Sequence, residues 1–125
     1  MLVHPDKAVL ATVAGDVHDI GKNIARVVLE NYGYKVIDLG KDLSPEIIAD
    51  YAEKHSVNLV GLSALMTTTL PAMRDTIDLL QSRGLSCKIM VGGAILTDDY
   101  AKTIGADFYG RDAKSAVDIA KSIFS

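Results

Sequence analysis

Asp16 and His18 stand two residues apart in the segment Gly15-Asp16-Val17-His18-Asp19-Ile20-Gly21. A carboxylate beside an imidazole accepts the proton of one ring nitrogen, fixes the tautomer and raises the basicity of the other nitrogen. Such a pair suits a metal ligand or a general base. A plainer use is open to the same residues, with Asp16 capping the helix that follows and His18 in solvent, and a lone D-x-H loop is more often of that kind. The segment lacks the GxGxxG fingerprint of dinucleotide sites, and Lys22-Asn23 is not the ending of a phosphate-binding loop. A second unusual stretch is Ser63-Ala64-Leu65-Met66-Thr67-Thr68-Thr69, dense in hydroxyls. One threonine suffices to cap the next helix, which leaves two hydroxyls for a ligand. Gly92-Gly93 is either a turn or a place where something bulky passes too close to the backbone for a Cβ. His4 and His55 have no comparable setting, His55 falling at a helix end where a cation is mildly favoured.

The elements that must hold these residues can be read from periodicity. Short runs rich in β-branched residues fall at Ala8–Ala14, Lys35–Leu39, Asn58–Ser63, Cys87–Gly92 and, weakly, Asp107–Tyr109. The first, third and fourth are apolar nearly throughout, as strands covered on both faces are. Helical spacing joins Ile24, Val27 and Val28; Ile47, Ile48 and Tyr51; Leu70, Met73, Ile77 and Leu80; and Ala113, Ala116, Val117 and Ala120. Ser44, Thr97 and Asp112 are expected caps, Gly33 and Gly84 natural stops, and the stretch 97–104 a short helix. Alternating β and α predicts a three-layer α/β/α fold with a five-stranded parallel sheet in the flavodoxin-like, Rossmann-like order 2-1-3-4-5. In such sheets ligands bind beyond the carboxyl ends of the strands, where strand order reverses. That point lies between the first and third strands, and the Asp16–His18 loop, the Ser63–Thr69 loop and Gly92-Gly93 all gather there.

Composition narrows the function classes. The 125 residues carry 13 Lys+Arg against 16 Asp+Glu, a net charge of −3, with no basic cluster. Neither nucleic acid nor an anionic membrane is an expected partner. No apolar run approaches the ~20 residues of a membrane helix, and the start does not read as a signal peptide. One cysteine, Cys87, excludes a disulfide framework and suits a reducing, cytoplasmic setting.

These residues resemble the cobalamin-binding domain of corrinoid proteins and of methionine synthase, whose signature is D-x-H-x-x-G, then S-x-L, then G-G. Asp16-Val17-His18-Asp19-Ile20-Gly21, Ser63-Ala64-Leu65 and Gly92-Gly93 supply the three parts. They are separated by 41 residues from Gly21 to Ser63 and by 26 from Leu65 to Gly92, as the signature requires. The wording around them, Gly15–Asn23, Leu62–Thr69, Val91–Ala94 and Ile104–Asp107, is similar to the small corrinoid proteins of anaerobic methyltransferase systems.

The resemblance implies a cobalamin or related corrinoid bound with its lower base displaced from cobalt. His18 would take the vacated axial position, Asp16 would hold its other ring nitrogen, and a hydroxyl, by alignment Thr69, would continue the relay. Cobalt changes coordination during turnover, so the His18–Asp16 pair would couple proton uptake to ligand release. Asp19, Ile20 and Gly21 would belong to the same site. The displaced tail would enter a slot lined by Ser63, Leu65 and Thr67 and pass over Gly92 and Gly93; Tyr109 could touch it or simply pack. The implied function is carriage of a methyl group between donor-side and acceptor-side methyltransferase subunits, not stand-alone catalysis. The alternatives are the small subunit of an adenosylcobalamin-dependent mutase and a non-catalytic corrinoid store or sensor. A response-regulator receiver has the same fold but needs an aspartate where Ser63 stands. Most such corrinoid proteins carry a helical cap ahead of this module. With about seven residues before the first strand, the expectation is one domain over residues 1–125 without that cap.

Overall fold

Strands too short and too apolar to stand alone alternate with amphipathic helices that cover them. The computed structural model describes residues 7–124. In chain order the elements are β1 (Lys7–Val13), α1 (Ile20–Asn31), β2 (Lys35–Leu43), α2 (Pro45–His55), β3 (Leu59–Ser63), α3 (Leu70–Ser82), β4 (Lys88–Gly92), α4 (Asp98–Thr103), β5 (Phe108–Tyr109) and α5 (Ala113–Phe124). A short 3-10 turn, Thr67–Thr69, leads into α3. Every strand pairing is parallel, and the order is 2-1-3-4-5, as the alternation predicts.

Alternate residues along each strand serve opposite layers. Val9, Val60, Leu62, Ile89 and Val91 pack against Ile48, Met73, Ile77 and Leu80 of α2 and α3. Ala8, Leu10, Leu59 and Met90 face the other way, toward Ala116 of α5. Leu29, Val117 and Ala120 join α1 to α5 above that second face. Ser44 accepts a hydrogen bond from the Ile47 N–H, Thr97 from Tyr100 and Asp112 from Ser115, so all three expected caps form. Among the described residues no helix is long and apolar enough to cross a membrane.

Two expectations need correction. Ile24 and Val27 do not form the packed face of α1; both are about half exposed, at 52% and 47%. The inward positions are Lys22 and Leu29. Lys22 is tolerated there because its ammonium meets Asp38 Oδ1 and the Gly40 carbonyl, each at 2.7 Å, and a paired buried charge avoids most of the desolvation cost. Strand β2 also runs on to Leu43 instead of stopping at Leu39. Its register against β1 slips twice, after Leu10 and after Ala11, where Gly40 (φ 110°) and Asp42 (φ 55°) take left-handed backbone. Bulges of this kind bend a strand instead of ending it. The extension brings Asp42 beside the loop after β1. The other strand limits fall within one residue of expectation, and His4 lies outside the described residues.

Candidate functional site

The β1–α1 loop turns at Gly15, whose φ of 84° suits glycine and whose missing Cβ leaves room for Thr69 Cγ2, 3.3 Å from where that atom would sit. The turn drives Asp16 into the protein, where it is 0% exposed. Oδ1 accepts the His18 N–H at 2.9 Å and meets His18 Nδ1 at 2.8 Å. Oδ2 accepts the Leu65 N–H at 2.7 Å, the Met66 N–H at 3.3 Å and the Thr69 hydroxyl at 2.8 Å. Thr69 Oγ1 lies equally near the Met66 carbonyl, but its single proton goes to the carboxylate, the stronger acceptor. Burial alone would raise the pKa of Asp16 and favour its neutral form. The donors from Leu65, His18 and Thr69 outweigh burial and hold the carboxyl well below the usual carboxylate range.

An ionised Asp16 can only accept, so the proton between it and His18 sits on Nδ1. In the neutral ring this leaves the lone pair on Nε2, on a side chain that is 47% exposed. A histidine whose far nitrogen is pinned by a buried carboxylate is built to offer the near one to a metal or a proton. Asp16 is not the cap of α1: the cap position is Asp19, whose side chain makes no capping bond. The capping role of the plainer reading is thereby excluded, while His18 remains about half exposed.

Beside this loop a cavity of about 550 Å³ opens between the sheet and helices α1 and α5. Leu10, Gly61 and Met90 form its buried inner wall, Ser63 and Gly92 lie nearer the opening, and Arg111 and Lys114 are exposed at its mouth. A Cβ on Gly61 would lie 2.5 Å from Leu10 Cδ2, and one on Gly92 would lie 3.1 Å from the Gly110 carbonyl oxygen.

Of the residues singled out from sequence, Asp16, His18 and Thr69 are in one hydrogen-bonded chain. Gly21, Ser63, Gly92 and Gly93 line the cavity. Leu65 and Thr67 do not; both are exposed on the loop after β3, where Leu65 contributes its backbone N–H to Asp16. Ile20 is 77% exposed at the start of α1. Gly93 has a reason for being glycine within the chain itself: its φ is 137°, and a Cβ would fall 1.8 Å from the Ala64 carbonyl oxygen. Tyr109 packs on the opposite face of the sheet and donates its hydroxyl to the Leu96 carbonyl at 3.0 Å.

Some contributors have no signature in sequence. Asp42 Oδ1 accepts the Gly15 N–H at 2.7 Å, and the Asp42 N–H donates to the Asp16 carbonyl at 3.0 Å. Gly40, Lys41 and Asp42 lie beyond the expected strand end at Leu39, and only their positions at the two register slips reveal a clamp on the histidine loop. Val17, Leu65 and Ile95, scattered singly in sequence, are all exposed apolar residues on loops at the same edge of the sheet.

A family model described as the B12 binding domain matches residues 6–118. Dimethylamine corrinoid protein 3 of Methanosarcina mazei is 46% identical over 116 residues, covering 91% of this chain and 70% of that protein. A cobalamin-binding protein from Desulfitobacterium hafniense superposes with a TM-score of 0.92 at 39% identity, over 96% of this chain and 60% of the other. A methanol:cobalamin methyltransferase complex from Methanosarcina barkeri gives 0.90 at 35% identity, over 94% and 45%. The chain spans about half the length of most of the curated relatives it matches.

Proposed function

This chain belongs to the B12-binding domain family, its cofactor is a cobalamin or related corrinoid, and from that premise we propose that it carries a methyl group between two methyltransferase partners. His18 would hold the cobalt through Nε2 in this reading. The observation that carries it is the buried Asp16 carboxylate, which leaves His18 Nε2 as an exposed donor of fixed tautomer.

The residues present fit the cofactor on three counts. Among the described residues no group of three or more His, Cys, Asp or Glu could hold a bare metal ion, whereas a single histidine would suit a metal that arrives with its other ligands. The cavity that opens by Gly21 is apolar inside, at Leu10, Gly61 and Met90, and carries Arg111 and Lys114 at its mouth, as a slot for a nucleotide tail would. Its wall carries glycine at positions 61 and 92, where a Cβ would crowd Leu10 Cδ2 and the Gly110 carbonyl oxygen, so the wall there stays bare backbone.

When bound, the corrinoid supplies a cobalt centre able to accept and release a methyl group. The chain's own part is positional and electrostatic. His18 offers Nε2 toward the loop edge, Asp16 retains the proton at Nδ1, and Leu65, Met66 and Thr69 keep Asp16 anionic by donating to Oδ2. Ligand strength at Nε2 is thus set from beneath by groups that never touch the metal. Val17, Leu65 and Ile95 give the edge an apolar surface for a macrocycle. Ser63, Gly92 and Gly93 would hold the cofactor's tail, with Asp19, Ile20 and Gly21 completing the adjoining turn.

Donor-side and acceptor-side methyltransferases are the partners in this reading, and the names of the relatives favour a methylated amine as donor. Residues 1–125 act as one domain. The location is cytoplasmic, which the lone, unpaired Cys87 supports.

The test is an absorbance spectrum of the chain mixed with hydroxocobalamin and desalted, alongside His18→Ala. Retained cofactor with a spectrum that changes on substitution is the expected result. Identical spectra would remove His18 from the metal, and no retention by the wild-type chain would overturn the reading.

A further inference from the structure

Lys22 is a charged side chain in a buried place. It stands in the first turn of α1 with its side chain 2% exposed, and it lines the cavity. Its ammonium meets Asp38 Oδ1 and the Gly40 carbonyl, each at 2.7 Å. Asp38 Oδ1 also accepts the Gly40 N–H at 2.9 Å. Burying an ion pair gains little over packing apolar side chains of similar volume, so stability alone does not account for a lysine here. What the pair fixes is a geometry. Gly40 and Asp42 lie at the bulged end of β2, where the register against β1 slips. Asp42 holds the front of the histidine loop, through the Gly15 N–H at 2.7 Å and the Asp16 carbonyl at 3.0 Å. Lys22 holds the back of the same loop. One strand end therefore grips both Gly15 and Lys22, and His18 lies on the span between them.

We propose that Lys22 is a positioning residue for His18: it ties the start of α1 to the bulged end of β2 and so fixes where His18 Nε2 stands. This rests on the corrinoid reading above, in which Nε2 would meet the cobalt. Asp16 fixes the tautomer of the ring, whereas the two grips fix the backbone that carries it. The distinction matters because a shift of about 1 Å in a reacting group can cost about a hundred-fold. With only Asp42 in place the loop is held at one end, and the helix start can move against the sheet. The ammonium is engaged by Asp38 and Gly40, so Lys22 acts through the backbone and not by touching the cofactor.

The test is a double-mutant cycle on the full chain between Lys22→Met and His18→Ala. Methionine keeps the length of the side chain and removes the charge. Affinities are read by absorbance titration for hydroxocobalamin and for cobinamide, the same corrin without the nucleotide tail. His18→Ala is expected to weaken binding in the wild-type chain. In the Lys22→Met background that loss is expected to be about five-fold smaller for both ligands, with the bound spectrum moved toward that of His18→Ala. Asp38→Asn is expected to act in the same direction, and it decides the matter if Lys22→Met does not fold. Leu80→Ala, in the layer across the sheet, is expected to lower the melting temperature and to leave the His18→Ala loss and the spectrum unchanged. An equal effect of Leu80→Ala would reduce Lys22 to a structural role and overturn the assignment. So would a His18→Ala loss undiminished by Lys22→Met and Asp38→Asn, or an effect confined to hydroxocobalamin, which would make Lys22 a contact of the tail. These results leave corrinoid binding intact. A wild-type chain that binds neither ligand, or a His18→Ala chain that binds both as the wild type does, overturns the reading of His18 and this assignment with it.

Discussion

Thr69 Oγ1 lies 2.8 Å from Asp16 Oδ2 across 53 residues of sequence. That contact joins the loop after β1 to the loop after β3 and completes a chain from Thr69 through Asp16 to His18. Three neighbouring threonines offer a hydroxyl, but only Thr69 is buried at the end of the 3-10 turn, where its side chain faces the carboxylate.

Removing that hydroxyl tests the chain. Thr69→Val leaves the Asp16 carboxylate with one donor fewer and is expected to destabilise the fold by about 1–2 kcal/mol. Thr69→Ser keeps the donor and is expected to recover most of it. Chemical denaturation of the two variants decides the matter; an equal loss in both would mean that packing, not the hydrogen bond, carries the effect.

Asp16→Asn replaces an acceptor-only group with an amide that must present its NH2 to existing donors. A loss of about 1–3 kcal/mol is expected at neutral pH. The depressed pKa of Asp16 gives this a pH signature. Its native value lies below the ordinary 3.8, so the stabilisation is full above that value and is lost as pH falls through the native one. Stability measured from about pH 5 down to about pH 2 should therefore fall less steeply in Asp16→Asn than in the wild type.

Gly93→Ala and Gly33→Ala separate steric from conformational demand. Both glycines have positive φ, but a Cβ at Gly93 would overlap the Ala64 carbonyl, while at Gly33 it would meet nothing within 4 Å. Gly33→Ala is expected to cost about 1 kcal/mol. Gly93→Ala should cost several times more, seen as loss of soluble folded protein or a large drop in melting temperature.

Ala116 is buried on α5 and lines the cavity. Ala116→Leu fills part of that space, so the chain without ligand is expected to keep or gain stability. Retention of cobalamin should fall about ten-fold or more while cobinamide binding holds. Unchanged cobalamin retention would place the tail elsewhere.

Asp42→Ala removes the side-chain acceptor of the Gly15 N–H. Faster hydrogen exchange is expected at Gly15, with strand β1 unaffected. Protection as in the wild type would show that the clamp contributes nothing to loop order.

The sequence by itself determined the layers, the strand order and the loops that meet at the switch point, because those depend on periodicity and on the handedness of crossovers. It also singled out Asp16, His18, Ser63 and the Gly92-Gly93 pair, since their residue types and spacing are local facts. The apolar period of α1 misled, because Ile24 and Val27 repeat like a core face while Lys22 and Leu29 take the inward positions; a lysine does not signal burial until its partner, Asp38 of β2, is in place. Likewise Gly40 and Asp42 read as the end of a strand, and only pairing against β1 makes them bulges that carry the chain onward to the histidine loop. Which threonine reaches Asp16, why Gly93 has no room for a side chain, and the hold of β2 on both ends of the histidine loop are relations between strands and loops distant in sequence. They exist only once the sheet register is set, and tertiary structure alone decided them.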